Sequence, residues 1–149
     1  MQTNRRAFLT LALAAFAAPA QALEARRTPI RVHKTPTCGC CTAWVEHLQA
    51  NGFAPTVQHH DDLTPVARRL GVPDRLRSCH TAEVGGYFVE GHVPAADIRR
   101  LLSQRPAGLG IAVPGMPMGS PGMEHGGHRQ PYQTILVARG GGARIFAQH

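Results

Sequence analysis

The chain has 149 residues, a formal net charge of +7 and only 5% aromatic residues. Lys34 is its one lysine, and its arginines are scattered along the chain without interleaved aromatic side chains. Nucleic-acid binding usually requires a concentrated basic patch, often with stacking aromatic residues, so the composition argues against a nucleic-acid partner.

The first 22 residues have the organisation of a secretory signal peptide. A basic start precedes the apolar run 7–18, and Ala20-Gln21-Ala22 supplies the small residues that signal peptidase requires. The apolar run is shorter than the roughly 20 residues of a membrane-spanning helix, so no stable insertion is expected after cleavage. The start NRRAFL resembles a twin-arginine export signal, with an ordinary Sec signal as the alternative. Residues 23–149 are therefore predicted to form one exported domain.

The mature segment alternates between strand and helix patterns. Alternating apolar and polar residues mark the strands, and glycines mark the helix ends. Strands are predicted at 30–34, 55–59, 85–89, 133–138 and 143–147. Helices are predicted from the cysteine-rich turn at 38–41 up to Gly52, and over 64–70 and 95–104. This order indicates an α/β domain with a mixed sheet and flanking helices, and three glycines before the last strand predict a C-terminal β-hairpin.

A segment rich in Gly, Pro and Met, residues 106–130, separates the last predicted helix from the hairpin. It contains Met116, Met118 and Met123, which are all the methionines except the initiator. Its Gly and Pro content argues against a regular helix or a central strand. A loop this long in a small domain is usually functional or disordered.

Three of the four cysteines lie within the four residues Cys38-Gly39-Cys40-Cys41. A disulfide framework would spread its cysteines along the chain, so the spacing argues against structural disulfides. The turn lies between a predicted strand and a predicted helix, where Cys38-x-x-Cys41 has the thioredoxin arrangement. A helix N-terminus lowers the pKa of a cysteine thiol, and thiolate is the form that both metal binding and disulfide exchange require.

The third clustered sulfur favours metal binding over dithiol chemistry, because a third thiolate invites wrong disulfides. Soft sulfur ligands select Cu(I), Zn(II) or iron–sulfur clusters. Cys79-His80 could complete a zinc site of three cysteines and one histidine. The thioethers of Met116, Met118 and Met123 favour Cu(I) instead, although a linker or packing role for this loop is an equal alternative.

Several long motifs in this order resemble the CopG-like family of periplasmic copper-resistance proteins. The motifs are Cys38-Gly39-Cys40-Cys41-x-x-Trp44, Cys79-His80-Thr81-Ala82, Gly86-Tyr87, the segment 89–94 and the segment 113–124. The resemblance implies a thioredoxin-like fold and a cluster of Cu(I) ions bridged by the sulfurs of Cys38, Cys40 and Cys41, with Cys79 as the matching distant cysteine. The expected partners of the exported domain are copper ions and, as a possibility, periplasmic copper-handling proteins.

The first hypothesis is copper binding for resistance, with possible redox cycling between Cu(I) and Cu(II). Two other functions remain as alternatives. The first is a thiol–disulfide oxidoreductase that uses Cys38 and Cys41. The second is a zinc protein in which the metal is purely structural.

Overall fold

The computed structural model describes residues 27–149. The strands in this range are β1 (Thr28–Lys34), β2 (Phe53–His59), β3 (His80–Val84), β4 (Tyr87–Glu90), β5 (Gly110–Ala112), β6 (Gln133–Val137) and β7 (Ala143–Gln148). The helices are α1 (Gly39–Ala50), α2 (Thr64–Leu70), α3 (Ala95–Gln104) and a short 3-10 helix (Asp74–Leu76). The signal peptide predicted over residues 1–22 lies outside the described residues. No helix in the described range is long and apolar enough to cross a membrane.

The strands form one seven-stranded sheet in the order β2-β1-β3-β4-β5-β6-β7. The pairs β1–β2 and β4–β5 are parallel, and the other neighbouring pairs are antiparallel. The predicted α/β class and mixed sheet are therefore confirmed, and so is the C-terminal hairpin, which is formed by β6 and β7.

Successive residues of a strand point to opposite faces of the sheet. Both faces of this sheet carry apolar side chains that are covered by helices. On one face, Trp44 of α1 and Ile98 of α3 belong to the larger apolar cluster together with Val89. On the other face, Ala67 of α2 packs in a smaller cluster that includes Phe88. The cysteine-bearing helix α1 is thus held against the sheet by the larger of the two cores.

Two strands were missed by the sequence pattern. β3 was not predicted, and the predicted strand 85–89 starts later because Gly85 and Gly86 form the turn between β3 and β4, with φ values of +55° and +87°. The predicted loop 106–130 contains β5, which lies between β4 and β6. Gly110 fits there because a Cβ at this position would lie 2.2 Å from the Phe88 carbonyl oxygen.

Candidate metal centre

The turn between β1 and α1 presents three cysteines at the start of a helix. Its backbone closes when the Cys38 N–H donates to the Thr35 carbonyl at 3.4 Å. Cys38 has an extended backbone and acts as the N-cap of α1, with its Sγ accepting from the Cys41 N–H at 3.3 Å. The predicted position of the cysteine turn at a helix N-terminus is confirmed.

Cys79 reaches the same place through the β3–β4 hairpin. Val84 pairs with Tyr87 across the two-residue turn, and Thr81 pairs with Glu90. Two residues further along this register, Cys79 lies opposite His92 at the open end of the hairpin. The Cys79 Sγ is 3.2 Å from the His92 Nε2.

The four cysteine sulfurs form one cluster, in which all lie within 4.8 Å of one another. The Cys40 Sγ is 3.5 Å from the Cys38 Sγ and 3.8 Å from the Cys79 Sγ, and the Cys41 Sγ is 3.5 Å from the Cys79 Sγ. Cys38 and Cys41 are joined in a disulfide, whereas Cys40 and Cys79 are free thiols.

The disulfide differs from the expectation drawn from cysteine spacing. The N-cap conformation brings the first and fourth residues of the turn together, with Cα atoms of Cys38 and Cys41 5.4 Å apart. This separation lies within the range that a disulfide spans. Two electrons and two protons would convert the bond into two thiols and give a cluster of four reduced sulfurs.

Burial raises the pKa of the Cys79 thiol to about 12, and the nearby Cys40 acts in the same direction. Cys79 is therefore a protonated thiol at neutral pH when no metal is bound. A metal ion that binds this sulfur must displace its proton. Cys79 lies outside α1 and does not share the helix N-terminus that favours thiolate in the cysteine turn.

His92 presents a bare nitrogen to Cys79. Its Nδ1 is 2.8 Å from the Pro121 carbonyl oxygen, which can only accept a hydrogen bond, so Nδ1 carries the proton. The Nε2 is then unprotonated and faces the Cys79 sulfur. Burial lowers the pKa of His92 and favours this neutral form. A hydrogen-bonded second nitrogen of this kind is the usual arrangement of a metal-ligating histidine.

His80 adds a second imidazole on the same side of Cys79. Its Nδ1 is 3.4 Å from the Cys79 Sγ, and its Nε2 is a buried nitrogen without a hydrogen-bond partner in the described part of the chain. The ring lies 4.3 Å from the Trp44 ring and 4.9 Å from the His92 ring, centroid to centroid. Cys79, His80 and His92 therefore form a mixed sulfur and nitrogen group that shares Cys79 with the four-sulfur cluster.

Acid should destabilise the metal-free protein through His80. Burial, helped by the neighbouring His92, lowers the pKa of His80 from 6.5 to about 3. The unfolded chain takes up this proton below about pH 6.5. The stability that neutral His80 contributes is therefore fully present above that pH and is lost as the pH falls toward 3. Urea unfolding between pH 7 and pH 4 should show a free energy of unfolding that falls with acidity, by up to about 1.4 kcal/mol per pH unit for this proton.

His80→Gln removes the titrating group and should give a shallower slope against pH, whatever its absolute stability. The lowered pKa of His92 keeps a part of the slope in the variant. Equal slopes in the two proteins would contradict a neutral buried His80.

A buried carboxyl group holds the backbone next to Cys79. One oxygen of Glu90 accepts from the Ser78 N–H at 2.7 Å, and the other accepts from the Thr81 hydroxyl at 2.5 Å. Burial raises the pKa of Glu90. Gly91 follows in a left-handed conformation, φ +73°, and a Cβ there would lie 2.5 Å from the Val113 carbonyl oxygen. These contacts hold Cys79 and His92 at the same end of the hairpin.

The methionine-containing loop packs against both sides of the cluster. In the part of segment 106–130 that follows β5, the Gly115 carbonyl accepts a hydrogen bond from the hydroxyl of Ser78, the residue before Cys79. Further along, the Pro121 carbonyl holds His92, and Gly122 lies against the first turn of α1. A Cβ on Gly122 would be 2.7 Å from the Cys40 carbonyl oxygen.

The three methionines differ in exposure. Met116, which follows Gly115, is 53% exposed, whereas Met118 and Met123 are partly buried. Met123 follows Gly122, the residue that touches α1. Their role as copper ligands stays a prediction. His125 and His128 in the same loop are exposed.

Sequence reasoning did not identify His92 as a candidate ligand. The Gly85-Gly86 pair is a signal for a two-residue hairpin turn, and both residues have the positive φ that such a turn requires. That turn fixes the register that places His92 opposite Cys79. The residue could thus have been found if β3 had been recognised.

The site defines a class of protein in which an α/β fold carries a sulfur-rich, histidine-flanked group able to bind a soft metal ion. A family model described as "Protein of unknown function, DUF411" matches residues 76–123. Two solved structures, titled "Copper resistance protein copG" in Form 1 and Form 2, are each 49% identical to this chain. Each match covers 83% of this chain and 98% of the other, with a TM-score of 0.79. No curated protein sequence matches the chain. The chain belongs to the CopG family of copper resistance proteins.

Proposed function

We propose that this chain is an exported copper-binding protein that contributes to copper resistance in the periplasm. It binds Cu(I) in a site bridged by the sulfurs of Cys38, Cys40, Cys41 and Cys79. The observation that carries the proposal is the convergence of these four sulfurs from two distant parts of the chain, all within 4.8 Å. The copper resistance proteins to which the chain is similar support the choice of metal.

The sulfur separations suit a soft metal ion. Two thiolates bound to one tetrahedral ion at about 2.3 Å lie about 3.8 Å apart. The separations of 3.5 Å and 3.8 Å around Cys40 and Cys79 fall close to this value. The four-sulfur group contains no carboxylate, and sulfur ligands of this kind favour Cu(I). Because Cys40 and Cys79 each have two sulfur neighbours, bridging of more than one ion is part of the proposal.

The donor set also supports a change of copper oxidation state. Cu(I) suits the sulfur side, and imidazole nitrogens such as the Nε2 of His92 also accommodate Cu(II). In the balanced reaction, two Cu(II) ions each accept one electron from the thiolates of Cys38 and Cys41. The products are two Cu(I) ions and the Cys38–Cys41 disulfide, so an external dithiol must reduce the disulfide before all four sulfurs can bind Cu(I) again.

The proposal includes a thioredoxin-like fold. The supporting observations are the β1–α1–β2 unit with parallel strands, the β3–β4–α3 unit beside it, and the neighbour order β2-β1-β3-β4. Cys38-x-x-Cys41 then lies at the helix start that is typical of this fold. Export by the predicted signal peptide, with periplasmic copper-handling proteins as partners, completes the proposal.

Copper stoichiometry tests this function directly. Reduced mature protein, residues 23–149, is titrated anaerobically with Cu(I) against a chromogenic chelator, and copper per chain is measured after desalting. We expect Cys38→Ser combined with Cys41→Ser to lower both the copper count and the affinity, because half of the sulfurs are removed. Unchanged stoichiometry and affinity would refute the proposed site.

The Cys38–Cys41 disulfide favours a second candidate function, thiol–disulfide exchange, because Cys38 is the N-cap of α1 and part of the bond. Insulin reduction by the metal-free protein decides between the two candidates. Turnover that Cys38→Ser abolishes would support exchange chemistry. Tight Cu(I) binding without any turnover would remove this candidate.

A further inference from the structure

Two histidines outside the cysteine cluster lie with their ring nitrogens at hydrogen-bond distance. The Nδ1 of His33, on β1, is 2.9 Å from the Nε2 of His60, which follows β2. The His33 side chain is only 3% exposed, and His60 is half-buried. His33 follows Val32 on β1, and successive residues of a strand point to opposite faces of the sheet. Because Val32 belongs to the larger core beneath α1, His33 and His60 lie on the face opposite that core.

A carboxylate determines which ring nitrogen of His33 donates a hydrogen bond. The Glu83 Oε1 is 2.9 Å from the His33 Nε2, and a carboxylate accepts only, so Nε2 carries a proton. In neutral His33 the lone pair is then on Nδ1, directed toward His60. Burial of His33 with one nitrogen bonded to a carboxylate is the second-sphere arrangement that orients a metal-binding imidazole. From the sequence, His33 is interpreted as a surface or packing residue, and His59-His60 with Asp61-Asp62 as a segment that could bind metal but better fits a capping and surface role.

We propose that His33 and His60 form a second copper site, one for Cu(II), separate from the cysteine cluster. Two nitrogens bound in neighbouring positions of a tetragonal ion at about 2.0 Å lie about 2.8 Å apart. The observed nitrogen separation is 2.9 Å, and the ring centroids are 5.0 Å apart. In the hydrogen-bonded pair the two nitrogens face each other, so both rings must rotate to direct their lone pairs toward one ion, and His60 then carries its proton on Nδ1.

The donor set selects Cu(II). The pair consists of two imidazole nitrogens without sulfur, and Cu(II) binds such sites more tightly than the other divalent first-row ions. Two arginines, Arg69 at 3.0 Å and Arg31 at 3.7 Å, contact the same Glu83 oxygen and hold that carboxylate in place. Their positive charges oppose a bound cation, whereas Asp61 and Asp62, which follow His60, offset them. The partly exposed side of His60 leaves the remaining metal positions to water.

Electron paramagnetic resonance on a cysteine-free chain tests this site without the proposed Cu(I) centre. All four cysteines are replaced by serine, circular dichroism checks the fold, and Cu(II) is titrated at pH 7.5. We expect one Cu(II) per chain with a tetragonal, nitrogen-ligated spectrum. His60→Ala should lower the affinity by about 100-fold or more, and Glu83→Gln by about 10-fold.

His59→Ala is the matched control, because His59 is the exposed neighbour of His60 in sequence. It should leave the affinity within about threefold of the parent chain. Equal losses in the two variants, or none in His60→Ala, would overturn the proposal and indicate adventitious surface binding. If the cysteine-free chain does not fold, the same titration is made on a chain that keeps the Cys38–Cys41 disulfide and carries Cys40→Ser and Cys79→Ser, because the disulfide has no thiolate to reduce Cu(II). Loss of Cu(I) binding in the cysteine variants with retained Cu(II) binding separates the two sites.

Discussion

Replacing Cys79 with serine should lower the affinity for Cu(I) by at least about 100-fold, because loss of an outer-sphere partner alone costs about 10- to 100-fold. Cys79 is the residue shared by the two candidate ligand groups. Its sulfur lies 3.5 Å from Cys41, 3.8 Å from Cys40 and 3.2 Å from the His92 Nε2. Without Cys79, no residue would belong to both the four-cysteine group and the group that contains His80 and His92.

Proton release gives this prediction a second readout. The Cys79 thiol has a pKa of about 12, so copper binding at pH 7 must expel its proton. Titration with Cu(I) in weakly buffered solution with a pH indicator should release about one proton fewer per chain from Cys79→Ser than from the wild type. Fluorescence of Trp44, the one tryptophan, should report binding, because its ring lies 4.3 Å from His80.

Ser103→Ala on the exposed side of α3 is a suitable control for handling and refolding. It should match the wild type in affinity, proton count and fluorescence change. A Cys79→Ser variant with the wild-type affinity and proton count would show that copper binds without this sulfur.

Local signals in the sequence were sufficient to predict the helical part of the site. Pro36, the capping position of Cys38 and the stop at Gly52 are close in sequence and act within one turn or one helix. α2 and α3 were predicted with the bounds Thr64–Leu70 and Ala95–Gln104 for the same reason. Patterns of this kind are visible because the residues that determine the element lie inside or beside it.

The features that were missed depend on partners far along the chain. β5 has three residues, too few for a periodic pattern, and exists because β4 and β6 supply its hydrogen bonds. β3 consists largely of buried residues, so its alternation of polar and apolar positions is weak. The pairing of His33 with His60 requires the parallel alignment of β1 and β2. The oxidation state of Cys38 and Cys41 depends on the surrounding redox potential, which residue spacing does not encode.

Gly122→Ala should detach the methionine loop from the cysteine turn while leaving the sheet intact. A Cβ at this position would lie 2.7 Å from the Cys40 carbonyl oxygen and 2.8 Å from the Trp44 backbone nitrogen. Both atoms belong to the backbone of α1 and cannot yield without breaking the helix, so the loop must move. The Pro121 carbonyl that holds the His92 Nδ1 would move with it. The overpacking cost of about 1–3 kcal/mol favours conformations in which the loop has moved away. Such conformations expose the half-buried, free Cys40 thiol, which should then be alkylated about 10-fold faster in the oxidised protein.

Gly127→Ala is the matched control for this variant. Gly127 lies in the same loop with φ +78°, close to the +84° of Gly122, but a Cβ there would meet no atom within 4 Å. Both variants carry the left-handed strain of about 1–2 kcal/mol, and only Gly122→Ala adds the clash with α1. Mass spectrometry of the alkylated protein and Cu(I) competition should show faster Cys40 modification and weaker binding in Gly122→Ala alone. If Gly127→Ala has the same effect, backbone strain would be the cause, and contact of Gly122 with α1 would have no part in holding the loop against the cysteine turn.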